Sequence, residues 1–319
     1  TLSWWALAPA LHGLPWFCAG GSGVKDVAEA VAFPGQGVQA VGMEKSIRGT
    51  PAWELFAEAS DLLGYDLARI IAEGPEDRLN QTDCAQPAVF VVCCALWRLC
   101  SARHRPLLFL GHSLGEVTAL AAAGAFSFAE GLKLVAKRGE LMAKQKGGML
   151  AVLGLTVETV EQICTHIQKD HWVQVANINS PGQVVVSGEI PGLAQVEEQA
   201  KAHGARRVVP LRVSGPFHSH LMAPAAAALQ DYINLLEIKD IEVPVMSNHT
   251  SELLSSAAQI KAELSAQLVS PVRFTDNILK AAQLGVDTLV EVGSAPLVGP
   301  MAKRTVSTLK IILASPGGM

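Results

Sequence analysis

The chain of 319 residues has few aromatic side chains, few charges and no excess of positive charge. Aromatic residues make up 5% and charged residues 17%, and the formal net charge is −4. Without a basic excess, nucleic-acid binding by charge is not expected. Half of the residues are hydrophobic, which excludes a disordered tail and allows one large domain or two smaller ones with a sizeable core.

The six cysteines form no C-x-x-C pair and show no metal-ligand spacing. Cys93 and Cys94 lie in an apolar run, where cysteine behaves as a small core residue. This pattern favours a reduced compartment over a disulfide framework.

Residues 1–28 form an apolar, leader-like extension that we exclude from the fold. Pro9, Gly13 and Pro15 interrupt it, so its uninterrupted length falls far below the roughly 20 residues that span a membrane. We expect no later span and no membrane contact. A leader of this kind suggests a plastid or mitochondrion, and the cytoplasm is the alternative.

Strand-like and helix-like segments alternate from about residue 28, which predicts an α/β fold. The predicted elements before the middle of the chain are strands at 30–33 and 107–110 and helices at 51–63, 87–100, 116–124 and 128–144. Residues 147–212 then follow the order β-α-β-β-α-β, the split βαβ pattern. We therefore expect a small α+β insert at 147–212 in a parent domain formed by 29–146 and 213–319.

The segment Gly111-His112-Ser113-Leu114-Gly115 matches the pattern G-x-S-x-G. A predicted strand precedes it and a predicted helix follows it, which is the context that this motif requires. Glycines without a Cβ atom allow a sharp turn, and the helix start points backbone N–H groups at the serine. We predict that Ser113 is a nucleophile rather than an incidental serine in a turn.

A serine hydroxyl is a weak nucleophile and needs a base. Among nine histidines, His218 is the best candidate, because it lies in a loop of small residues just after a predicted strand. A structural histidine is an equal alternative on the residues alone. The pair His218 and His220 has the spacing of metal ligands, but no third ligand cluster accompanies it, so no metal site is predicted.

Six motifs occur in an order that resembles the malonyl-CoA:acyl-carrier-protein transacylases of type II fatty-acid synthesis. The acyltransferase domains of polyketide synthases are similar. The resemblance covers about residues 30–305 and implies an α/β-hydrolase-like large subdomain with a ferredoxin-like α+β insert. The motifs are Phe33–Gly37, Gly111–Glu116, Lys137–Met142, Asn179–Gly182, Gly215–His218 and Gln267–Val272.

The resemblance implies a role for four residues around the nucleophile. Ser113 would become malonylated, and His218 would act first as general base and then as general acid. Arg138 would pair with the free carboxylate of the malonyl group, which suits a bidentate guanidinium. Gln267 would orient His218 through its backbone carbonyl, in place of the acid of a triad.

Five further residues receive roles from the same resemblance. Gln36 and Leu114 would supply the backbone N–H donors of the oxyanion hole. Gln86, Asn179 and Phe217 would line the acyl pocket. The bulk of Phe217 should disfavour an α-methyl branch, although excluding one methyl group is worth only about 1–3 kcal/mol.

The expected reaction is a ping-pong transfer of malonyl from malonyl-CoA to the phosphopantetheine thiol of acyl carrier protein, feeding fatty-acid biosynthesis. It needs no cofactor beyond the coenzyme A thioester that is its substrate, and a monomer is expected. A local basic surface should receive the acidic carrier protein. Candidate residues for it are Lys133, Lys137, Lys144, Lys146, Arg206 and Arg207.

Three alternatives remain at this point. One is an acyltransferase that serves a polyketide synthase. Another is an α/β-hydrolase esterase, which would need an acid such as Asp170 or Glu189 between Ser113 and His218. The last is an inactive scaffold that only binds a carrier protein, against which the presence of Ser113, His218 and Arg138 argues.

Overall fold

The structure is a computed structural model, and it describes residues 27–314. Residues 1–26 of the predicted leader-like extension lie outside this range. A six-stranded sheet organises the larger part of the described chain, in the order β10-β9-β1-β2-β7-β8, and only β8 runs antiparallel to its neighbour. Its strands are β1 (Glu29–Phe33), β2 (Leu108–Gly111), β7 (Val245–Met246), β8 (Leu253–Leu254), β9 (Thr288–Glu291) and β10 (Lys310–Leu313).

A second sheet of four strands is fully antiparallel, in the order β4-β5-β3-β6. Its strands are β3 (Gly148–Leu153), β4 (Val173–Ser180), β5 (Gln183–Gly188) and β6 (Arg207–Pro210). The prediction of a mixed α/β fold is thereby confirmed as a parallel sheet accompanied by a small antiparallel sheet. The predicted β-α-β-β-α-β order of elements is observed between Gly148 and Pro210.

Helices cover both sheets. In residues 27–314 they are α1 (Glu54–Leu63), α2 (Leu67–Glu73), α3 (Glu76–Leu79), α4 (Thr82–Cys100), α5 (Leu114–Ala122), α6 (Phe128–Ala143), α7 (Val157–Ile167), α8 (Ile190–Ala202), α9 (Ala223–Leu235), α10 (Ala257–Ala266), α11 (Phe274–Gln283) and α12 (Val298–Thr305). Local chemistry fixes several helix starts. At α6, the Ser127 side chain accepts a hydrogen bond from the backbone N–H of Glu130, whose carboxylate accepts the N–H of Ser127 in return.

Helix α4 corrects the expectation that no later segment could span a membrane. The stretch Thr82–Arg103 is long and apolar enough to do so by length and composition, and 83% of its most apolar window is buried inside the fold. Val91 and Ala95 are fully buried there, as core residues. An apolar surface all round is typical of a helix enclosed by its own protein as well as of one in a membrane.

The G-x-S-x-G segment lies where α5 crosses close to the parallel sheet. A Cβ atom on Gly115 would stand 2.1 Å from the carbonyl oxygen of Phe33 at the end of β1. A Cβ on Gly111 would stand 2.0 Å from the backbone of Gly115. Only glycine allows this approach, which is the structural reason for the G-x-S-x-G spacing.

We therefore predict that Gly115→Ala lowers the free energy of unfolding by at least about 3 kcal/mol, because a backbone oxygen cannot move aside as a flexible side chain can. Urea denaturation followed by tryptophan fluorescence measures the loss. Gly204→Ala is the matched control. Its Cβ would meet nothing within 4 Å, although its φ of +84° leaves a strain of about 1–2 kcal/mol. Equal stability of the two variants would refute the prediction.

Candidate active site

Ser113 occupies the turn between β2 and α5 in a strained conformation. Its backbone has φ 54° and ψ −109°, a region that side-chain-bearing residues rarely adopt. The strain lifts the hydroxyl above the end of the sheet while α5 begins at the next residue, Leu114. This is the geometry expected of a nucleophile on a strand-to-helix turn.

His218 lies beside that hydroxyl. Its Nε2 is 2.6 Å from Oγ of Ser113, and its Nδ1 is 3.0 Å from the backbone carbonyl oxygen of Gln267. With Nδ1–H donating to that carbonyl, Nε2 is left to accept the serine proton. The sequence alone supported His218 no better than a structural histidine, and the structure brings it to the nucleophile.

The environment keeps His218 uncharged. Burial, reinforced by the positive charge of Arg138, lowers the pKa of His218 from 6.5 to about 3, against the opposing hydrogen bond to Gln267. An uncharged imidazole can act as a base at neutral pH. Because the folded-state pKa is depressed, the unfolded chain binds this proton more readily, and the free energy of unfolding falls as the pH drops from about 6.5 towards 3.

Arg138 projects from α6 into the same place and is 2% exposed. Its Nη2 donates to Oγ of Ser113 at 3.1 Å and to Oε1 of Gln267 at 2.9 Å, and its Nη1 donates to Oε1 of Gln86 at 2.8 Å. Burial lowers the pKa of Arg138 to about 10, so the guanidinium stays charged at neutral pH. The structure thus places a buried cation against the hydroxyl of Ser113.

Gln267 contacts all three of these residues. Besides the backbone contact to His218, its Oε1 accepts from Arg138 and its Nε2 donates to the carbonyl oxygen of Ser113 at 3.1 Å. The sequence predicted only the backbone contact. The amide side chain is therefore a second means by which Gln267 arranges the site.

A cleft of about 330 Å³ opens over these groups, and Ser113, His218 and Arg138 line it. The other residues proposed from the sequence that line it are Gln36, Gln86, Leu114, Asn179 and Phe217. Gln267 supports the cleft from behind and is not part of its wall.

Two of the lining residues are themselves held in place. Nε2 of Gln36 donates to the hydroxyl of Thr82 at 3.3 Å, and the carboxamide oxygen of Asn179 lies 2.8 Å from Nε2 of His112. His112 therefore turns towards Asn179 and supports the acyl side of the cleft.

Asn248 is a functional residue that sequence reasoning missed. Its Oδ1 accepts the N–H of Ser113 and its Nδ2 donates to the carbonyl oxygen of Gly111, both at 2.7 Å. The side chain thus holds both sides of the strained turn. The one short-range signal at this position is an N-x-T sequon, which has no bearing on a side chain that is 0% exposed.

Two of the lysines predicted to form a basic surface are engaged in ion pairs. Lys137 and Lys144 both bind the single carboxylate of Glu140, at 3.0 and 2.5 Å, so one of their two positive charges is offset. In contrast, Arg212 is exposed at the rim of the cleft, beside Leu211. Within residues 27–314, no group of three or more His, Cys, Asp or Glu side chains could hold a metal ion.

The esterase interpretation needs a carboxylate at Nδ1 of His218, and that position is taken by the carbonyl oxygen of Gln267. Glu189, one of the acids considered, instead accepts the N–H of Trp172 at 3.0 Å. A backbone carbonyl in the place of the acid suits an activated thioester donor, which demands less of the base than an amide does.

A serine hydroxyl, an imidazole and a buried guanidinium meet in one cleft, an arrangement compatible with acyl transfer. A family model described as acyl transferase domain matches residues 31–314. A malonyl CoA-acyl carrier protein transacylase of Bacillus subtilis is 41% identical over 294 residues, covering 90% of this chain and 93% of the relative.

Solved structures agree. An acyl carrier protein S-malonyltransferase from Vibrio cholerae matches with a TM-score of 0.87 and 37% identity, covering 90% of this chain and 96% of that chain. The same values apply to a malonyl-transacylase solved in complex with its holo type II PKS acyl-carrier protein. The chain belongs to the acyl transferase domain family and, within it, to the malonyl CoA-acyl carrier protein transacylases.

The depressed pKa of His218 predicts that its imidazole stays neutral from pH 8 down to pH 5. The side-chain ¹⁵N resonances of histidine in uniformly labelled protein report this directly during a pH titration. Comparison with a His218→Gln variant assigns the resonance. A midpoint near 6.5 for His218 would contradict the arrangement described here.

Proposed function

We propose that Ser113 carries the malonyl group from coenzyme A to the phosphopantetheine thiol of acyl carrier protein, with His218 and Arg138 as its partners. One observation carries the assignment of residues: the guanidinium of Arg138 lies 3.1 Å from the hydroxyl of Ser113 while buried from solvent. A cation at this distance suits an acyl group that ends in a carboxylate, because malonyl keeps its free carboxylate in the thioester and in the serine ester.

The first half of the reaction acylates the enzyme. Oγ of Ser113 attacks the thioester carbonyl while Nε2 of His218 takes its proton, which gives a tetrahedral intermediate. The intermediate collapses, the C–S bond breaks, and His218 returns the proton to the departing thiolate of coenzyme A. Malonyl remains as an ester on Ser113.

The second half reverses the roles. The thiol of the carrier protein enters the site, loses its proton to His218 and attacks the ester carbonyl. As the second tetrahedral intermediate collapses, the C–O bond breaks and His218 gives its proton to Oγ of Ser113. Each half begins and ends with neutral imidazole, which accords with a pKa well below neutral pH.

The oxyanion of both intermediates would be held by the backbone N–H groups of Leu114 and Gln36. Leu114 is the first residue of α5, where N–H groups have no partner within the helix and the helix dipole favours negative charge. Gln36 follows β1 and also lines the cleft. Gln86, Asn179 and Phe217 would enclose the acyl chain.

The finer division of the fold belongs to the same proposal. Residues 29–146 and 213–319 would form an α/β-hydrolase-like subdomain, and 147–212 a ferredoxin-like insert. The strand order β4-β5-β3-β6 and the paired helices α7 and α8 support the insert. Ser113 and Arg138 come from the larger part, and Asn179 comes from the insert.

The carrier protein would dock over the rim of the cleft, where its phosphopantetheine arm can reach Ser113. Leu211 and Arg212 are exposed there and offer an apolar and a positive contact to an acidic partner. A carrier protein of polyketide synthesis is the second candidate partner, favoured by the solved complex of the similar malonyl-transacylase with a type II PKS acyl-carrier protein.

Replacing the nucleophile should abolish acylation. We expect intact-mass analysis of the wild-type protein mixed with malonyl-CoA to show one added malonyl group, and Ser113→Ala to show none. Ser214→Ala is the matched control, since this hydroxyl lies 2.7 Å from that of Thr82 near the cleft and has no part in the transfer. Malonyl retained on Ser113→Ala at the wild-type level would sink the assignment.

Replacing the guanidinium should alter acyl selection. Arg138→Lys keeps the positive charge but loses the two parallel N–H donors that can bind both oxygens of a carboxylate. We therefore expect kcat/KM for malonyl-CoA to fall about 10- to 100-fold. Acylation by acetyl-CoA, which has no carboxylate, should fall much less. Both rates are measured by quenched-flow mass analysis, with thermal unfolding as a check on folding. An equal loss for both donors would rule out carboxylate recognition by Arg138.

A further inference from the structure

Glu116 is a buried carboxyl that the transfer steps above do not use. It follows the nucleophile by three residues, in the first turn of α5, and is 0% exposed. Its Oε1 accepts the backbone N–H of Asn248 at 2.8 Å, and its Oε2 accepts a hydrogen bond from Nε2 of Gln267. Burying a carboxyl costs folding free energy unless the group is hydrogen-bonded, as Glu116 is here.

Those two contacts lead to the groups around the nucleophile. Asn248 clamps the turn that holds Ser113, as described above. Gln267 is bonded through its side chain to the carbonyl oxygen of Ser113 and to the guanidinium of Arg138. Glu116 therefore contacts both side chains that hold the surroundings of Ser113, namely Asn248 and Gln267.

The side chain of Gln267 has a donor end and an acceptor end, and the site needs them in one orientation only. Its Oε1 can face Arg138 only while its Nε2 faces acceptors, because donors do not bind donors. The acceptors are Oε2 of Glu116 and the carbonyl oxygen of Ser113. The carboxyl of Glu116 and the carbonyl of Ser113 together fix the orientation of the amide.

A second buried carboxyl, Glu263, is close enough to Glu116 to affect its pKa. It accepts from Oγ of Ser247 at 2.5 Å and from the N–H of His249 at 3.1 Å. Burial and the neighbouring carboxyl raise the pKa of Glu116 well above its usual range. Both oxygens of Glu116 act as acceptors, one towards Asn248 and the other towards Gln267.

We propose that Glu116 is a positioning residue for acyl selection: it orients the amide of Gln267, whose oxygen in turn holds the guanidinium of Arg138 against Ser113. The inference rests on the malonyl transfer proposed above. It assigns to the last residue of the segment Gly111–Glu116 a role in choosing the acyl group.

The substitution Glu116→Gln tests this step because it changes hydrogen bonding more than size. A glutamine offers one acceptor oxygen to two donors, the backbone N–H of Asn248 and Nε2 of Gln267. The backbone N–H of Asn248 is fixed by the fold, so the new NH₂ group faces Nε2 of Gln267, donor against donor. The amide of Gln267 then has to shift away or turn over, and either movement weakens the contact between its oxygen and the guanidinium of Arg138.

The experiment measures kcat/KM of enzyme acylation by malonyl-CoA and by acetyl-CoA in the wild type, in Glu116→Gln and in Glu263→Gln. We expect Glu116→Gln to lower the malonyl-to-acetyl ratio by about tenfold or more. Glu263→Gln is the matched control, since it alters the same buried pair without a contact to Gln267. Its ratio should stay within about twofold of the wild type.

An unchanged ratio in a folded Glu116→Gln protein overturns the inference, and so does an equal fall of the ratio in Glu263→Gln. If Glu116→Gln does not fold, Gln267→Met tests the same link, because it keeps the backbone carbonyl for His218 and removes the amide. A wild-type ratio in Gln267→Met also overturns the inference. A wild-type enzyme without any preference for malonyl would instead overturn the proposed function itself.

Discussion

The site depends on one buried positive charge. Arg138 is 2% exposed, and its three hydrogen bonds go to the neutral groups of Ser113, Gln86 and Gln267. Among residues 27–314, no carboxylate lies within ion-pair distance of it, Glu116 acts on it only through space, and its Nε has no hydrogen-bond partner. A cation removed from water without a counter-charge in contact is costly to the fold. A substrate carboxylate would supply that counter-charge, so substrate selection and relief of this cost are the same event.

The positive charge of Arg138 also affects the pKa of His218. Arg138 is one of the causes that depress the pKa of His218, after burial itself. We expect a bound malonyl carboxylate to offset the guanidinium and to make the imidazole more basic while the acyl group is in place. If Arg138 binds the malonyl carboxylate as proposed, one cation would face both the substrate and His218, and electrostatics alone would couple recognition to proton transfer.

Sequence reasoning found the parts of the site that carry a local pattern. Ser113 is recognisable from sequence because the turn requires glycine on both sides of it and because the strand before it is a clear apolar run. Arg138 and Gln267 entered only through the ordered resemblance, since an isolated arginine on a helix is most often solvated. Asn248 and Glu116 were missed because they act on each other across 132 residues, and a glutamate in the first turn of a helix is ordinary there. The two-residue strands β7 and β8 are too short to give a periodic signal.

The four-stranded sheet forms hydrogen bonds to the two chain segments that hold His218. The N–H of Ile178 donates to the carbonyl oxygen of Val272 at 2.9 Å, a few residues beyond Gln267, and Oγ of Ser187 donates to the carbonyl oxygen of Phe217 at 2.5 Å. A hinge motion that separated the two sheets would pull the imidazole of His218 away from the hydroxyl of Ser113. Under the proposed mechanism, malonyl-CoA and the thiol of the carrier protein would use the one cleft over Ser113 in turn, because coenzyme A has to leave before the second thiol can reach the ester.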